Sequence, residues 1–468
     1  MVFSSGNDTG AGPQSSLLPI TQVIFNPVTG QNQEVTTNTG VYFARADNGQ
    51  TIQRSGAAFP KDFITGDDGG YDTIAIPGTA KNLLTVGACL DVVNSSGEPG
   101  FTSGAAVEIA DFSGVGPCDD GRIKPDLVAV GDSSSFARSA LGVPDTGGLV
   151  TTDSTSNTAI IDNVAGTSFS APAVTGGLAL VLQRRAQLYP SLPFNDLYRA
   201  STLKAIAING CDDPDAPGPD FQRGHGLFNA ASSVLLVDED FDTGRGSQIK
   251  EFELSPNESV SWLVEVDSTN LLSLTAVWSD PAGNGRSIAG VQDVPEKALV
   301  NNIDLKIENV ATGEVLLPWI LNPDLSAERE SVRAQAAVRG VDSTNNVERI
   351  SVANPVVGRY RVTVTHSGGI LGSPAPSNQF ISVVSTNATP VAPTIDAIQV
   401  SPAQDQFLLS FTSDPGAFYD VETSTSLQEG DWIKIGETTA LQTTNTVDVT
   451  LTAGAGVPRR FLRLKRSQ

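Results

Sequence analysis

Residues 166 to 172 of the chain read Gly166-Thr167-Ser168-Phe169-Ser170-Ala171-Pro172. Apolar residues then recur at helical spacing, at Val174, Leu178, Val181 and Leu182. This pattern predicts an amphipathic helix that begins near Thr167. A serine in its first turn lies beside backbone N–H groups without helical partners, where the helix dipole favours negative charge. The run by itself fits an ordinary helix cap equally well, because Ser and Thr are common cap residues.

Short apolar runs on either side of this helix predict strands of a parallel sheet that is covered on both faces. They are Val2-Phe3, Leu83–Gly87 and Asp126–Gly131. A second helical pattern runs from about Asn195 to Asn209 and ends at Gly210. Residues 1–236 are therefore predicted to form an α/β unit, a partial parallel sheet with helices.

The pattern changes from residue 237 onward to strand-like runs with period-two alternation, separated by turn residues. Such runs are typical of an antiparallel sandwich. A linker rich in Pro, Ala and Thr, from Thr389 to Thr394, then leads to a last β-rich segment. The predicted fold class is thus α/β in residues 1–236, followed by all-β sandwich domains in residues 237–388 and 389–468.

The composition excludes several classes of protein. A net charge of −23 argues against nucleic acid as a partner, since phosphate binding needs clustered Lys and Arg. No run of 18 apolar residues occurs, which predicts that nothing spans a membrane. The three cysteines are far apart and fit neither a disulfide framework nor a zinc site, so one disulfide and none both remain open.

Five segments in the first 235 residues resemble, in the right order, the motifs of the subtilases, a family of serine peptidases. They are Ser4-Ser5-Gly6-Asn7, Pro77–Ala88, Phe112–Asp126, Gly166–Pro172 and Gly218–Ala230. The fourth resembles the motif of the nucleophilic serine, and the first resembles the strand end that bears the oxyanion asparagine. His225 departs from the pattern, because an aromatic residue is more usual there.

The resemblance implies a serine endopeptidase that acts on proteins or peptides through an acyl-enzyme on Ser168. It implies that Asn7 helps to hold the oxyanion, and that Ser168 needs a histidine as base and an aspartate to orient it. The residues implied in substrate binding are Ser4, Ser5, Gly6, Gly166 and Thr167. No cofactor is required, and a secreted protein is expected.

The histidine and the aspartate should both precede Asn7 in this family. The only histidines are His225 and His366, and neither stands in the family's histidine motif. Asp8-Thr9-Gly10, Asp145-Thr146-Gly147 and Asp242-Thr243-Gly244 imitate the aspartate motif but are interpreted as turns. The sequence therefore predicts a truncated, inactive fragment whose Met1 is an internal methionine. The alternatives are a non-catalytic adhesive or scaffold protein and one half of a split peptidase.

The remaining segments give weaker predictions. Residues 11–70 form an insertion that borders the expected cleft, interpreted as a surface loop rather than a device that shapes substrate access. Residues 237–388 resemble the jelly-roll sandwich that follows some subtilase domains, with structural calcium as an option. Its candidate ligands are Asp280, Asn302 and Asp304, beside Asp212, Asp213, Asp215 and Asp220 near the end of the peptidase part.

Residues 389–468 resemble small fibronectin-like modules of secreted bacterial proteins. Tyr419 and Trp432 are the candidates there for contact with a polysaccharide or a cell surface, although core packing is the more common fate of such residues.

Overall fold

The computed structural model describes most of the chain. The described residues are 1–7, 17–26, 31–45, 51–56, 73–90, 107–110, 112–132, 149–153, 156–193, 196–213, 217–283, 297–322, 335–370, 374–400, 406–413, 417–428, 431–440, 444–450 and 461–467. The predicted turns at Asp8 and Asp145, and the calcium candidate Asp215, lie outside these ranges.

The first 242 residues contain eight described strands and three described helices. The strands are β1 Val2–Ser4, β2 Leu17–Asn26, β3 Gln31–Arg45, β4 Thr51–Gly56, β5 Leu84–Leu90, β6 Leu127–Asp132, β7 Leu149–Asp153 and β8 Ser156–Val164. The helices are α1 Thr167–Leu188, α2 Ala200–Asn209 and α3 Ala230–Asp242.

A three-stranded parallel sheet, in the order β1-β5-β6, is the centre of this part. Helix α1 packs on the sheet through Val174, Leu178 and Val181, which share a core with Val86 and Leu127. The predicted strands and the predicted helix start at Thr167 are confirmed. Leu182, the fourth residue of the predicted apolar face, is half-buried.

Two helices differ from the sequence prediction. Helix α2 begins at Ala200 rather than near Asn195, because Arg199 before it has extended backbone angles. Helix α3 was not predicted, although Asn229 caps it by accepting from Ser232 N at 2.9 Å. The expected boundary after residue 236 falls inside α3, where Val237 is buried in the same core as α1.

The insertion from residue 11 to residue 70 contains strand structure. Strands β2, β3 and β4 form an antiparallel sheet in that order, with Leu17 opposite Gly40 and Gly40 opposite Gly56. Part of this region, interpreted from the sequence as a loop, is therefore an antiparallel sheet of its own.

The next part of the chain is strand-rich as predicted. Its strands are β9 Ile249–Leu254, β10 Ser259–Val266, β11 Leu272–Trp278, β12 Asn301–Asn309, β13 Val315–Leu316, β14 Trp319–Ile320, β15 Val338–Arg339, β16 Val347–Val352, β17 Gly358–Gly369, β18 Gln379–Thr386 and β19 Thr389–Pro390. They form antiparallel sheets in the orders β13-β12-β17-β10-β19 and β16-β11-β18-β9, with a small β14-β15 pair. Apolar residues from both large sheets, among them Trp262, Leu274, Leu305 and Val362, make one core between them.

The β16-β11-β18-β9 sheet also packs on the α/β part. Val277, Val347 and Val384 belong to the core that contains α1 and α2. Asn209 of α2 accepts from Ser273 Oγ at 2.9 Å and Thr275 Oγ1 at 3.0 Å, both on β11. The α/β part and the sandwich therefore share a continuous, hydrogen-bonded interface.

The last part of the chain forms two small antiparallel sheets. Its strands are β20 Thr394–Val400, β21 Gln406–Thr412, β22 Phe418–Ser424, β23 Ile433–Thr439, β24 Thr444–Thr450 and β25 Phe461–Arg466. Tyr419 is fully buried and packs edge-on against Phe411, so its ring belongs to the core. Trp432 is half-buried, with the Arg463 guanidinium 4.2 Å from its ring centre. The Tyr419 ring is therefore not open to a glycan, whereas contact of Trp432 with a polysaccharide stays a prediction.

Two further predictions concern the whole chain. None of the helices in the described ranges combines the length and apolarity that crossing a bilayer requires. Cys89, Cys118 and Cys211 are all buried and no disulfide joins any two of them, which resolves the open choice in favour of no disulfide. Burial raises the pKa of Cys118 to about 11 and that of Cys211 to about 12.

Candidate active site

The end of β1 delivers Asn7 to the edge of the parallel sheet. Ser5 N donates to Val86 O at 2.8 Å and so continues the ladder with β5. The chain then turns at Gly6, whose φ of +100° lies in the left-handed region. A Cβ at Gly6 would stand 2.6 Å from Ala75 Cβ, so both the backbone angle and the space require glycine.

The end of β6 positions the start of α1. Gly131 lies at the end of β6, which pairs with β5, and its carbonyl oxygen accepts from Gly166 N at 2.9 Å. Thr167 is the first residue of α1, and Ser168 is the second. Strands β1 and β6, which flank β5 in the parallel sheet, thus bring residues 7 and 166–168 to the same edge.

Asn7 and the start of α1 are joined directly. Asn7 Oδ1 accepts from Thr167 N at 2.9 Å and from Thr167 Oγ1 at 2.8 Å. Thr167 Oγ1 in turn accepts from Gly6 N at 3.2 Å. Because Thr167 supplies two donors, the side-chain oxygen of Asn7 must face the helix, which leaves the Nδ2 group as a donor elsewhere.

Gly166 provides the space beside that donor. A Cβ at Gly166 would lie 2.9 Å from Asn7 Nδ2, closer than a Cβ atom ordinarily comes to a neighbour. Asn7 is exposed, so its Nδ2 group can meet a bound carbonyl oxygen. This arrangement has the donor that an oxyanion hole needs, and the contact with Thr167 orients it in advance.

Ser168 is exposed at the second position of α1. The N–H of Thr167 is taken by Asn7, and that of Phe169 donates to Gly166 O at 3.0 Å. The N–H of Ser168 makes no hydrogen bond to any described residue. The hydroxyl, this N–H and the positive end of the helix dipole therefore lie together at the surface, as acyl transfer on a serine requires.

The residues implied in substrate binding fall into two groups. Ser5 and Thr167 are buried, so their side chains support the site from inside rather than line a pocket. Ser4 and Gly6 are half-buried on β1 and the turn after it, and Gly166 is buried beside Asn7. The role of Thr167 in holding Asn7 was missed by sequence reasoning, because a contact across 160 residues leaves no local signal.

Neither histidine can serve Ser168 as a base. The ring of His225 is buried, and burial lowers its pKa to about 3, with the nearby Arg349 guanidinium acting in the same direction. His366 is fully buried in β17, where Nδ1 accepts from Gly368 N and Nε2 lies 2.9 Å from Ser377 O. Asp242, in the third imitation of the aspartate motif, is the last residue of α3.

A buried charge cluster behind the site also escaped sequence reasoning. Lys124 Nζ lies 2.6 Å from Asp126 Oδ2, and Lys204 Nζ lies 2.8 Å from Asp126 Oδ1. Both lysines donate to Leu83 O at 2.9 Å, and Asp126 Oδ2 accepts from Thr85 N. The cluster ties the entries of β5 and β6 to α2 and thereby supports the two strands.

The three calcium candidates of the sandwich are not arranged around one point. Asp280 pairs with Lys81 and accepts from Val300 N at 2.9 Å and Asn301 N at 2.8 Å. Asp304 accepts from Asn302 Nδ2 at 3.4 Å. Within the described part of the chain, no group of three or more acidic, His or Cys side chains could hold a metal ion. Calcium binding stays a prediction.

Comparison with known proteins finds a family match and relatives that are serine proteases by name. Residues 1–226 match the model of the subtilase family. The serine protease/ABC transporter B family protein tagA of Dictyostelium discoideum is 29% identical over 293 residues, which are 58% of this chain and 15% of that protein. Serine protease AprX of Bacillus subtilis (strain 168) is 31% identical over 162 residues, 35% of this chain and 32% of AprX. The chain thus corresponds to a minor share of each relative.

Among solved structures, one match is fervidolysin from Fervidobacterium pennivorans, a keratinolytic enzyme related to subtilisin. The match covers 81% of this chain and 44% of the fervidolysin chain. Its sequence identity is 13% and its TM-score is 0.23, so it adds no argument of its own. The family model and the two relatives, which are serine proteases by name, agree with the subtilase motifs of the sequence. Residues 1–226 of this chain, just under half of its 468 residues, are therefore similar to the subtilase family of serine peptidases.

Proposed function

We propose that this chain is the nucleophile-bearing part of a secreted endopeptidase that cleaves proteins through an acyl-enzyme on Ser168. The observation that carries the proposal is the joint placement of Asn7 and Ser168. Thr167 orients the Asn7 amide, and Ser168 is exposed with a free N–H at the start of α1.

In the proposed reaction Ser168 Oγ attacks the carbonyl carbon of the peptide bond, and its proton passes to an imidazole base. Asn7 Nδ2 and Ser168 N–H hold the resulting oxyanion. The base then protonates the leaving amine, and water hydrolyses the acyl-enzyme. In this proposal the imidazole base is supplied from outside residues 1–468, because both histidines of the chain are buried and unsuited to the role, and the aspartate that orients it accompanies the base.

Residues 1–468 alone are therefore expected to be almost inactive. In subtilisin, loss of the triad serine or histidine lowers kcat about 10⁶-fold. The test is cleavage of a fluorogenic peptide by purified 1–468, with and without added imidazole, which can diffuse to the open side of Ser168. We expect slow cleavage that depends on imidazole and is lost in Ser168→Ala.

The matched control is Ser170→Ala, which changes the buried serine two residues further along the same helix. It should retain the imidazole-dependent cleavage. Equal rates for wild type and Ser168→Ala in imidazole would contradict the role of Ser168. Rapid cleavage without imidazole that is lost in Ser168→Ala would contradict the need for an external base.

A further inference from the structure

A cavity of about 230 Å³ opens in the sandwich beside strand β12. This strand pairs with β17 along one edge, but on its other edge β13 covers only Ile307 and Glu308. The N–H of Leu305 donates instead to Glu348 Oε2 at 2.6 Å. Glu348 belongs to β16 of the facing sheet. Its carboxyl group therefore takes the place of a neighbouring strand as the acceptor for this edge of β12.

Glu348 is an unusual group for such a position. Glu348 is only 1% exposed, and its Oε1 atom has no hydrogen-bond partner among the described residues. Burial raises the pKa of Glu348 well above its usual range, and the nearby carboxylates of Asp342 and Asp304 act in the same direction. Burial thus favours the neutral form of this carboxyl group, in which Oε2 accepts from Leu305 N and Oε1 can carry a proton to donate.

The lining of the cavity has two unlike sides. Asp304, Lys306 and Thr365 add an acceptor, a cationic donor and a hydroxyl to the carboxyl of Glu348. Leu317, Pro318 and Val341 supply an apolar wall. Carbohydrate rings match such a lining, because their hydroxyls both donate and accept while their C–H faces are apolar. We propose that this cavity binds one unit of a neutral carbohydrate.

A metal ion fits the cavity less well. The apolar wall offers no ligands, and the cavity is far larger than one ion. A divalent cation would also require Glu348 to give up the proton that its burial favours. The proposal concerns the sandwich alone and does not depend on the peptidase function.

The test uses the full 468-residue chain and saturation-transfer NMR with glucose, galactose, mannose and N-acetylglucosamine. We expect weak, saturable binding of at least one of these sugars. Val341 is 62% exposed at the cavity, so Val341→Trp should fill the opening without disturbing the core and weaken binding at least about tenfold. Val338→Trp is the matched control, since Val338 is 54% exposed and does not line the cavity.

Glu348→Gln separates the two kinds of ligand. The amide keeps one acceptor for Leu305 N and one donor toward the cavity, so sugar binding should change by less than about threefold. Failure of all four sugars to bind overturns the proposal, as does unchanged sugar binding in Val341→Trp. A third outcome also overturns the proposal: the wild type binds calcium but no sugar, and Glu348→Gln abolishes the calcium binding. The ligand of the cavity would then be a cation.

Discussion

The Thr167 hydroxyl donates to Asn7 Oδ1 at 2.8 Å while its oxygen accepts from Gly6 N at 3.2 Å. The Thr167 side chain thus provides the acceptor for the backbone N–H of the turn at Gly6 and also fixes the rotation of the Asn7 amide. Thr167→Val keeps the shape but removes both bonds, and it leaves the N–H of Gly6 without this partner. We expect the free energy of unfolding to fall by about 1–3 kcal/mol in urea denaturation. Thr167→Ser, which keeps the hydroxyl, should lose less; equal losses would show that the hydroxyl is unimportant.

Gly166 and Gly176 allow a comparison within one helix. A methyl group on Gly166 would lie 2.9 Å from Asn7 Nδ2, whereas a methyl group on Gly176 meets nothing within 4 Å. Gly166→Ala should displace the Asn7 amide, which a shift of its side-chain NH₂ resonances in NMR will report. Gly176→Ala should leave these resonances in place and stabilise the protein by about 1 kcal/mol, because alanine is the better helix former. Unshifted Asn7 resonances in Gly166→Ala would contradict the close contact.

The ion pair between Lys81 and Asp280 joins the peptidase part to the sandwich. Both side chains are nearly buried, at 10% and 0% exposure, and Asp280 also accepts two backbone N–H groups. Asp280→Asn leaves the Lys81 charge without its partner, so we expect a loss of roughly 3–5 kcal/mol in the free energy of unfolding. The control is Glu265→Gln, which breaks the more exposed Arg359–Glu265 pair and should cost about 1 kcal/mol or less. A loss of similar size in both variants would mean that the buried pair does not join the two parts.

Local patterns predicted the α/β core, the start of α1 and the position of Ser168. They succeeded because apolar periodicity and short glycine-bounded strands act over a few residues. Helix α3 was missed although the Asn229 cap is a local signal, since its acidic end, Asp238 to Asp242, hides the apolar face around Leu236 and Val237.

Contacts between distant residues were beyond the sequence. Asp280 stood out as an oxygen donor for calcium, yet it faces Lys81, which lies 199 residues away. Tyr419 was open to two interpretations, a binding platform or the more common core packing, and its contact with Phe411 places it in a core. A residue type fixes what a side chain can do, but only packing decides which partner it meets.

The buried Lys124–Asp126–Lys204 cluster predicts a dependence of stability on pH. Two lysines share one carboxylate, so burial lowers the pKa of Lys124 from 10.5 to about 7 against the attraction of Asp126, and Lys204 lowers it further. Between pH 7 and 10.5 the unfolded chain binds a proton at Lys124 that the folded chain does not. The free energy of unfolding must therefore rise with pH in this window, by up to about 1.4 kcal/mol per pH unit.

The measurement is urea denaturation at pH 7, 8 and 9. Above pH 9 the buried thiol of Cys118 opposes the trend, because its pKa is raised from 9.0 to about 11 and only the unfolded chain loses that proton. Lys124→Met removes the titrating group and keeps the Lys204–Asp126 pair, so its stability should vary much less from pH 7 to 9. If Lys124→Met follows the same slope as the wild type, the titration belongs to another group and Lys124 is charged in the folded protein.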